Sequence, residues 1–308
     1  MTAPLHVVVG ASGQIGTHLV RALESAGHRV RAVTRTARRG HVCGDISDVT
    51  TAIELCAGAS VVHACFGGPH ATWHAEFPRM TRGVIAGAKA AGARIVFADN
   101  LYAYGPHDGE LTEESPVRPA GTKQRLRAEI AELFLRSNVP VAVARASDLY
   151  GPGIDNAMVN TTLIASALVG RRLFLPGVLD APHTFTFVPD VARAMVRLAT
   201  SDDAWGHIWH VPSAPALSLR ALVAKVGDLG RARPRVTRIP TFVVRLAGLF
   251  DRQIRELAEM AFQWDRPYLV SHAKIAARYG LEPTAIDDGL RTTADALATS
   301  VARLGAGG

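Results

Sequence analysis

Hydrophobic and polar positions alternate along this chain with two periods, and each change of period marks an element. Leu5–Val9 is an apolar run broken only by His6, and it leads directly into Gly10. Past the glycine, Ile15, Leu19 and Leu23, with Val20 beside them, recur at the spacing of one helix face. Short apolar runs follow at Arg29–Val33, Ser60–Ala64, Arg94–Ala98 and Val139–Ala144, with a shorter segment around Val42. Between them the spacing predicts helices over about Val49–Ala57, Phe77–Ala91 and Lys123–Arg136. Strands alternating with helices predict a parallel sheet covered on both faces, because parallel neighbours require crossover connections.

Beyond residue 150 the alternation fades. A helix is expected at Asn156–Val169, a strand near Leu173–Leu175, and another in the stretch ahead of Pro189. Pro189 then starts an apolar-faced helix. His207–Val211 reads as a strand, and Leu217–Leu229 and Ala285–Val301 as helices. Leu246, Phe250, Ile254, Leu257 and Met260 share a face that either packs into the core or covers a hydrophobic substrate. The expected fold class is therefore α/β: a Rossmann-type parallel sheet flanked by helices over residues 1–170. A small mixed α/β substrate lobe follows over residues 171–308, some elements of which could return to the main sheet.

Composition narrows the class. A chain of 308 residues with 48% hydrophobic content buries a sizeable core, and a mean hydropathy of +0.13 is that of a globular protein. No apolar run approaches the roughly 20 residues of a membrane span. The chain starts in a core strand, so no signal peptide is expected and a cytoplasmic, reducing location is. Cys43, Cys56 and Cys65 lack metal-ligand spacing and read as small buried residues, so no metal is expected. The net charge of +7 raises the question of nucleic acid. Its densest cluster, Arg231, Arg233, Arg235 and Arg238, is broken by Pro234 and has no interleaved aromatics, so it reads as a solvated linker. The expected partner is a small molecule, bound by a monomer or a homodimer.

The glycines carry the first chemistry. Gly10 permits a tight turn, Gly13 lets backbone approach a diphosphate, and Gly16 lets the helix pack closely on the sheet. Ser12, Gln14 and Ile15 complete the loop, and the helix N-terminus supplies N–H groups and positive dipole charge. Arg35 ends the second strand, and no Asp or Glu lies between Glu24 and Asp45. Arginine there accommodates a 2′-phosphate, whereas a carboxylate would grip free ribose hydroxyls. NADP(H) is thus favoured and NAD(H) is the alternative. Arg38 and Arg39 read as surface residues. Ile46, Ala64, Cys65, Phe66 and Ala98 fall where the chain passes beside the cofactor, and the loops after Ala98 and Ala144 carry the chemistry at the sheet's carboxyl edge.

Together these pieces resemble the extended short-chain dehydrogenase/reductase family, in particular its NAD-dependent epimerase/dehydratase branch, over nearly the whole chain. Gly10, Gly13 and Gly16 form its GxxGxxG motif, and Gly44–Asp45 resembles its adenine-contacting acidic site. Tyr104–Gly105 matches the YG after the fifth strand, and Phe187–Asp190 resembles a later h-V-x-D element. Arg145–Pro152 resembles R-x-x-N-x-YGP with Asp148 in place of Asn. The resemblance implies a Ser or Thr where this chain has Asn100. It also implies a Tyr-x-x-x-Lys pair between Glu114 and Arg136, where no tyrosine occurs and Lys123 and Arg127 hold the spacing.

The resulting expectation is an NADPH-dependent reductase that transfers hydride to a ketone of a small, bulky hydrophobic molecule without the usual pair. Tyr102 is the expected substitute proton donor, unless it simply packs between the lobes. Asn100 would hydrogen-bond the substrate oxygen, Lys123 or Arg127 would supply positive charge, and Asp148 would orient substrate. Tyr104 is expected to be structural, His63 and His210 to be core residues, and His107 and His183 to be loop residues with little claim to acid–base work. The apolar Phe242–Trp264 region leans towards a hydrophobic substrate. The alternatives are an NAD(P)-dependent sugar epimerase or dehydratase and a non-catalytic NADP-binding sensor. The resemblance further implies that any homodimer forms through the helices at Phe77–Ala91 and Lys123–Arg136.

Overall fold

A computed structural model of the chain describes residues 3–68, 70–250, 255 and 259–305. Its first half alternates as the periodicity requires: β1 (Leu5–Val9), α1 (Gly16–Ser25), β2 (Arg29–Thr34), β3 (Val42–Cys43), α2 (Val49–Cys56), β4 (Val61–Ala64), α3 (Trp73–Ala91), β5 (Arg94–Asn100), β6 (Glu110–Leu111), α4 (Thr122–Leu135) and β7 (Val141–Ala146). There follow β8 (Asp148–Tyr150), α5 (Thr161–Leu168), β9 (Arg172–Pro176), β10 (Pro182–His183), β11 (Phe185–Phe187) and α6 (Val188–Ala199). The chain continues with β12 (His207–His210), β13 (Leu217–Ser218), α7 (Leu219–Leu229), β14 (Arg235–Ile239), α8 (Thr241–Ala247), β15 (Leu269–Val270), α9 (Ala273–Tyr279) and α10 (Ile286–Gly305).

Seven strands make one parallel sheet in the order β12-β7-β5-β4-β1-β2-β3. Alternating side chains divide the strands between two cores. Val7, Val9, Val62, Ile95, Phe97 and Val143 pack under α2, α3 and α4, against Phe77, Val84, Leu126, Ile130 and Phe134. Val8, Val96, Ala98, Ala142 and Ala144 pack on the other face against Leu19 and Leu23 of α1 and Met195 and Leu198 of α6. A fully buried Leu, Val or Phe contributes roughly 1.5–3 kcal/mol, so these layers hold the sheet. β12 and α6, which come from beyond residue 170, belong to this sheet and its cover. The remaining elements build a smaller core around Leu163, Phe185, Leu222, Val226 and Trp264. No helix among the described residues is long and apolar enough to cross a membrane.

Several elements depart from the periodicity, each for a local reason. α3 begins at Trp73 rather than Phe77, because Trp73, Phe77, Met80, Val84 and Ala88 all bury one continuous face and Pro78 is accommodated inside the helix. α5 starts only at Thr161, because the Asn160 side chain accepts from the Leu163 N–H (2.9 Å) and caps it. Residues 156–159 therefore form bends ahead of the helix. The arginine cluster is not a linker: Arg235–Ile239 pairs in parallel with β9, its Val236, Thr237 and Ile239 half-buried and its Arg235 and Arg238 exposed. Cys43 is exposed on the two-residue edge strand β3, whereas Cys56 and Cys65 are buried. On the Leu246 face, Phe242, Leu246, Leu249 and Phe250 are exposed, so this half is not core, while Met260 is buried. Ile254 and Leu257 lie outside the described residues.

Candidate active site

The sheet changes winding direction between β1 and β4, the place where an open α/β sheet leaves a crevice. Gly10 turns there with φ +79°, and a Cβ on it would come within 2.6 Å of the Cys65 carbonyl oxygen. A Cβ on Gly16 would meet the Gly10 oxygen at 2.1 Å, and one on Gly13 would meet it at 3.1 Å. The glycines thus make a bare backbone cradle at the start of α1, and no side chain caps that helix. Its N–H groups and dipole charge suit a diphosphate. With its amide turned so that the oxygen faces them, Gln14 accepts from the backbone N–H groups of Asp155 and Asn156 (2.7 and 2.6 Å), tying those residues to the cradle.

From this cradle a single cleft of about 1310 Å³ runs along the carboxyl ends of the strands and under the smaller lobe. Ligand pockets are typically about 300–1,000 Å³, so there is room for a dinucleotide and a second molecule. Gly10, Ser12, Gly13, Gln14, Ile15, Arg35, Ile46, Cys65, Phe66 and Ala98 line it, as do Asn100, Tyr102 and Asp148. Ala64 and Gly16 lie behind this lining, buried at the strand end and against the turn. Asp45 does not reach the cleft. It is exposed, and its carboxylate accepts from the Ser47 N–H (2.9 Å) within its own turn, leaving Gly44 and Ile46 at the wall. Arg35 reaches the cleft half-exposed, and its guanidinium meets Glu76 on α3 (3.2 Å). Buried Cys65 has its thiol pushed up to about 12 by burial, so it stays protonated.

The other end of the cleft rests on three buried charges whose pairing no sequence pattern announced. Asp99, at the end of β5, accepts from Arg127 Nε (3.0 Å) and Nη2 (2.5 Å) on one oxygen and from Arg145 Nε (2.9 Å) on the other. The three side chains are 5% exposed or less. Burial works against the Arg145 charge, but Asp99 and then Tyr104 outweigh it and hold its pKa above the ordinary value. Arg127 also lies over Trp73, Phe77 and Phe97. One turn earlier on α4, Lys123 is buried away from the cleft, with its backbone N–H on Glu259 (2.6 Å). Lys123 is thus not a cleft residue, and of the two cations Arg127 is the one that lines it.

Asn100 spends its side-chain oxygen on the Tyr102 N–H (3.1 Å), which shapes the turn after β5. Tyr102 stacks on Trp73 (6.2 Å, 24°) at the cleft wall. Burial pushes its phenol well up, Asp148 adds to this, and a hydrogen bond to Gln263 and the charge of Arg127 only partly offset it. Tyr104 is buried with its hydroxyl on His210 Nε2 (2.9 Å), a packing role. His63 and His210 are fully buried. His183 is not a loop residue: it lies on β10, buried, with Nε2 2.7 Å from Asp148 Oδ2. Met260, Gln263 and Trp264 close the cleft from the smaller lobe. The apolar spacing from Trp73 onward was readable in the sequence, but no sequence signal joins His183 to Asp148.

Comparisons with known proteins agree with this fold. The NAD dependent epimerase/dehydratase family model matches residues 6–211. Among curated proteins, the chain is 30% identical over 271 residues to 3-diazoavenalumate denitrifying reductase from a Streptomyces species, covering 79% of this chain and 87% of that one. Among solved structures, dTDP-glucose 4,6-dehydratase from Bacillus anthracis in complex with NAD superposes with a TM-score of 0.79 at 16% identity, over 96% of this chain and 97% of that one. RMD from Pseudomonas aeruginosa complexed with NADPH gives 0.73 at 20% identity, over 96% of this chain and all of that one. These two structures speak to the fold.

Proposed function

The chain belongs to the NAD-dependent epimerase/dehydratase family and is an NAD(P)-dependent oxidoreductase, and on that footing we propose that it is an NADPH-dependent reductase of a carbonyl on a flat, largely apolar molecule. The observation that carries the reading is the substrate end of the cleft. Trp73, Tyr102, Met260 and Trp264 wall it, with Asn100, Asp148 and Gln263 as polar points, and α4 offers no phenol. Oxidising a sugar hydroxyl and returning it needs an effective base. Tyr102, its phenol pushed up by burial, keeps its proton and serves as a hydrogen-bond donor instead.

Gly10, Ser12, Gly13, Gln14 and Ile15 would hold the diphosphate, Ile46 would flank the adenine, and Arg35 would meet the 2′-phosphate. When bound, the dinucleotide supplies a hydride. The Tyr102 hydroxyl and the Asn100 amide donors steady the negative charge that develops on the substrate oxygen.

A second reading is favoured by the Streptomyces relative, whose name describes reduction of a diazo compound with loss of nitrogen. Hydride addition to a cationic diazonium breaks the C–N bond, forms C–H and releases N₂, and it consumes no net proton. That balance suits a site with no phenol–lysine pair, and the Asp148 carboxylate suits a cation. The test is NADPH oxidation by the purified protein with aryl ketones, 9,10-phenanthrenequinone, an ortho-hydroxyarenediazonium and UDP-glucose. Oxidation with a carbonyl supports the first reading, and N₂ release with the diazonium supports the second. Conversion of UDP-glucose without net NADPH loss would overturn both.

A further inference from the structure

Asp148 stands where the resemblance to the family implies asparagine, and its surroundings are built for a carboxyl group. β8 runs parallel to β11 with Asp148 opposite Phe185, and His183 lies two residues before Phe185, on the same side of the chain. This brings His183 Nε2 to 2.7 Å from Asp148 Oδ2, the length of a charge-assisted hydrogen bond. The imidazole is fixed in place. Trp264 stacks on it at 3.9 Å and 5°, and Tyr268 lies 5.2 Å away at 22°. His183 is 3% exposed, so it meets the cleft only through Asp148.

Asp148 is 14% exposed and lines the cleft, and its second oxygen has no hydrogen-bond partner among the described residues. Here one oxygen is anchored and the other is presented to whatever enters between Tyr102 and Trp264. Ser147 holds the strand in register for this, donating from its hydroxyl to the Thr184 carbonyl (2.7 Å) and from its N–H to Thr186 Oγ1 (3.0 Å).

We propose that Asp148 and His183 are the proton-transfer pair of this site, with Asp148 the catalytic residue facing substrate and His183 the positioning residue that orients its carboxyl and shares its proton. The inference rests on the carbonyl-reductase reading above. Hydride from NADPH adds to the carbonyl carbon, the C=O π pair moves onto oxygen, and that oxygen takes the proton of the pair. Solvent then returns one proton, so R₂C=O, NADPH and H⁺ become R₂CHOH and NADP⁺. Tyr102 stays protonated and contributes a hydrogen bond. The groups that face Asp148 are His183 on β10, Tyr102 after β5 and Tyr268 before β15, with Arg127 beside Tyr102.

The test uses the full chain with NADPH and 9,10-phenanthrenequinone across pH. In the wild type, kcat should fall as pH rises and the pair loses its proton. Asp148→Asn should lower kcat at least about 100-fold, abolish that pH dependence and leave the NADPH Kd unchanged. Asp148→Glu should restore part of the rate, and His183→Gln should displace the pH limb with little change in KM. NADPH binding by fluorescence shows whether each variant is folded, and if Asp148→Asn fails it, His183→Gln decides. An Asp148→Asn variant within threefold of wild type with the same pH limb overturns the pair alone, as does an unmoved limb in His183→Gln. A wild type that binds NADPH but reduces neither this quinone nor aryl ketones overturns the reductase reading and the pair with it.

Discussion

Asp99→Asn is the perturbation that probes the foundation of the site most sharply. The Asp99 carboxylate is fully buried and is the shared counter-charge of two buried guanidiniums, which are 5% and 2% exposed. The amide would remove the negative charge and leave Arg127 and Arg145 facing each other in the interior. Breaking one buried pair in this way typically costs about 3–5 kcal/mol. Against a total of roughly 5–15 kcal/mol that is a large share, and it corresponds to a drop in Tm on the order of 10 °C. Urea and thermal unfolding followed by circular dichroism measure it directly. The loss should be repaired in large part by Asp99→Leu combined with Arg127→Met and Arg145→Met, since an apolar replacement of a whole buried network is often neutral. NADPH-dependent activity should not return, because Arg127 is part of the cleft wall. A cost below about 1 kcal/mol for Asp99→Asn would refute the claim that this carboxylate holds the two arginines and, through them, β5, β7 and α4.

Other outcomes follow from single sites. Gly16→Ala places a methyl 2.1 Å from the Gly10 oxygen, so it should cost about 1–3 kcal/mol and weaken NADPH binding sharply, as calorimetry would show. Arg35→Ser should weaken NADPH about 10- to 100-fold while leaving NADH nearly unchanged, and equal losses would contradict the role given to Arg35. Glu76→Gln should move the preference the opposite way, because Glu76 now competes for the Arg35 guanidinium. Stability should depend on three buried histidines. Burial holds His6 and His210 down to about 4, with His28 and then Arg94 adding to it at His6, and burial, then His6 and His28, hold His63 well below its ordinary value. The unfolded chain takes up protons near pH 6.5 that the folded chain refuses, so stability present above 6.5 is lost as pH falls towards 4. The loss is up to about 1.4 kcal/mol per pH unit for each histidine, and equal urea midpoints at pH 7 and pH 5 would contradict it.

What could be read in the sequence was local. Leu5–Leu23 encodes its strand, turn and helix through neighbours a few residues apart, and so do the strands delivering Asn100 and Asp148 to the sheet edge. What stayed hidden depends on pairings across the chain. Asp148 and His183 meet only because β8 and β11 run side by side, 35 residues apart in sequence for the two side chains. That Arg127 and Arg145 share one carboxylate shows only once α4 and β7 deliver them to Asp99. Lys123 and Arg127 share a helix, and only packing against Glu259 and the Trp73 face shows which of them the cleft receives. The start of α3 and the strand Arg235–Ile239 were missed for a related reason. Pro78 and the arginines are strong local signals that burial of Trp73 and pairing with β9 override.

The central claim is that NADPH bound on the Leu5–Leu23 cradle is consumed in reducing a carbonyl at the Tyr102–Asp148 end of the cleft. Single-turnover mixing of protein-bound NADPH with 9,10-phenanthrenequinone, following nicotinamide absorbance together with product, measures it. With oxygen excluded, the account predicts one NADPH oxidised for each quinone reduced, and a slower reaction with NADH. Tight NADPH binding with no oxidation in the presence of the quinone would contradict it.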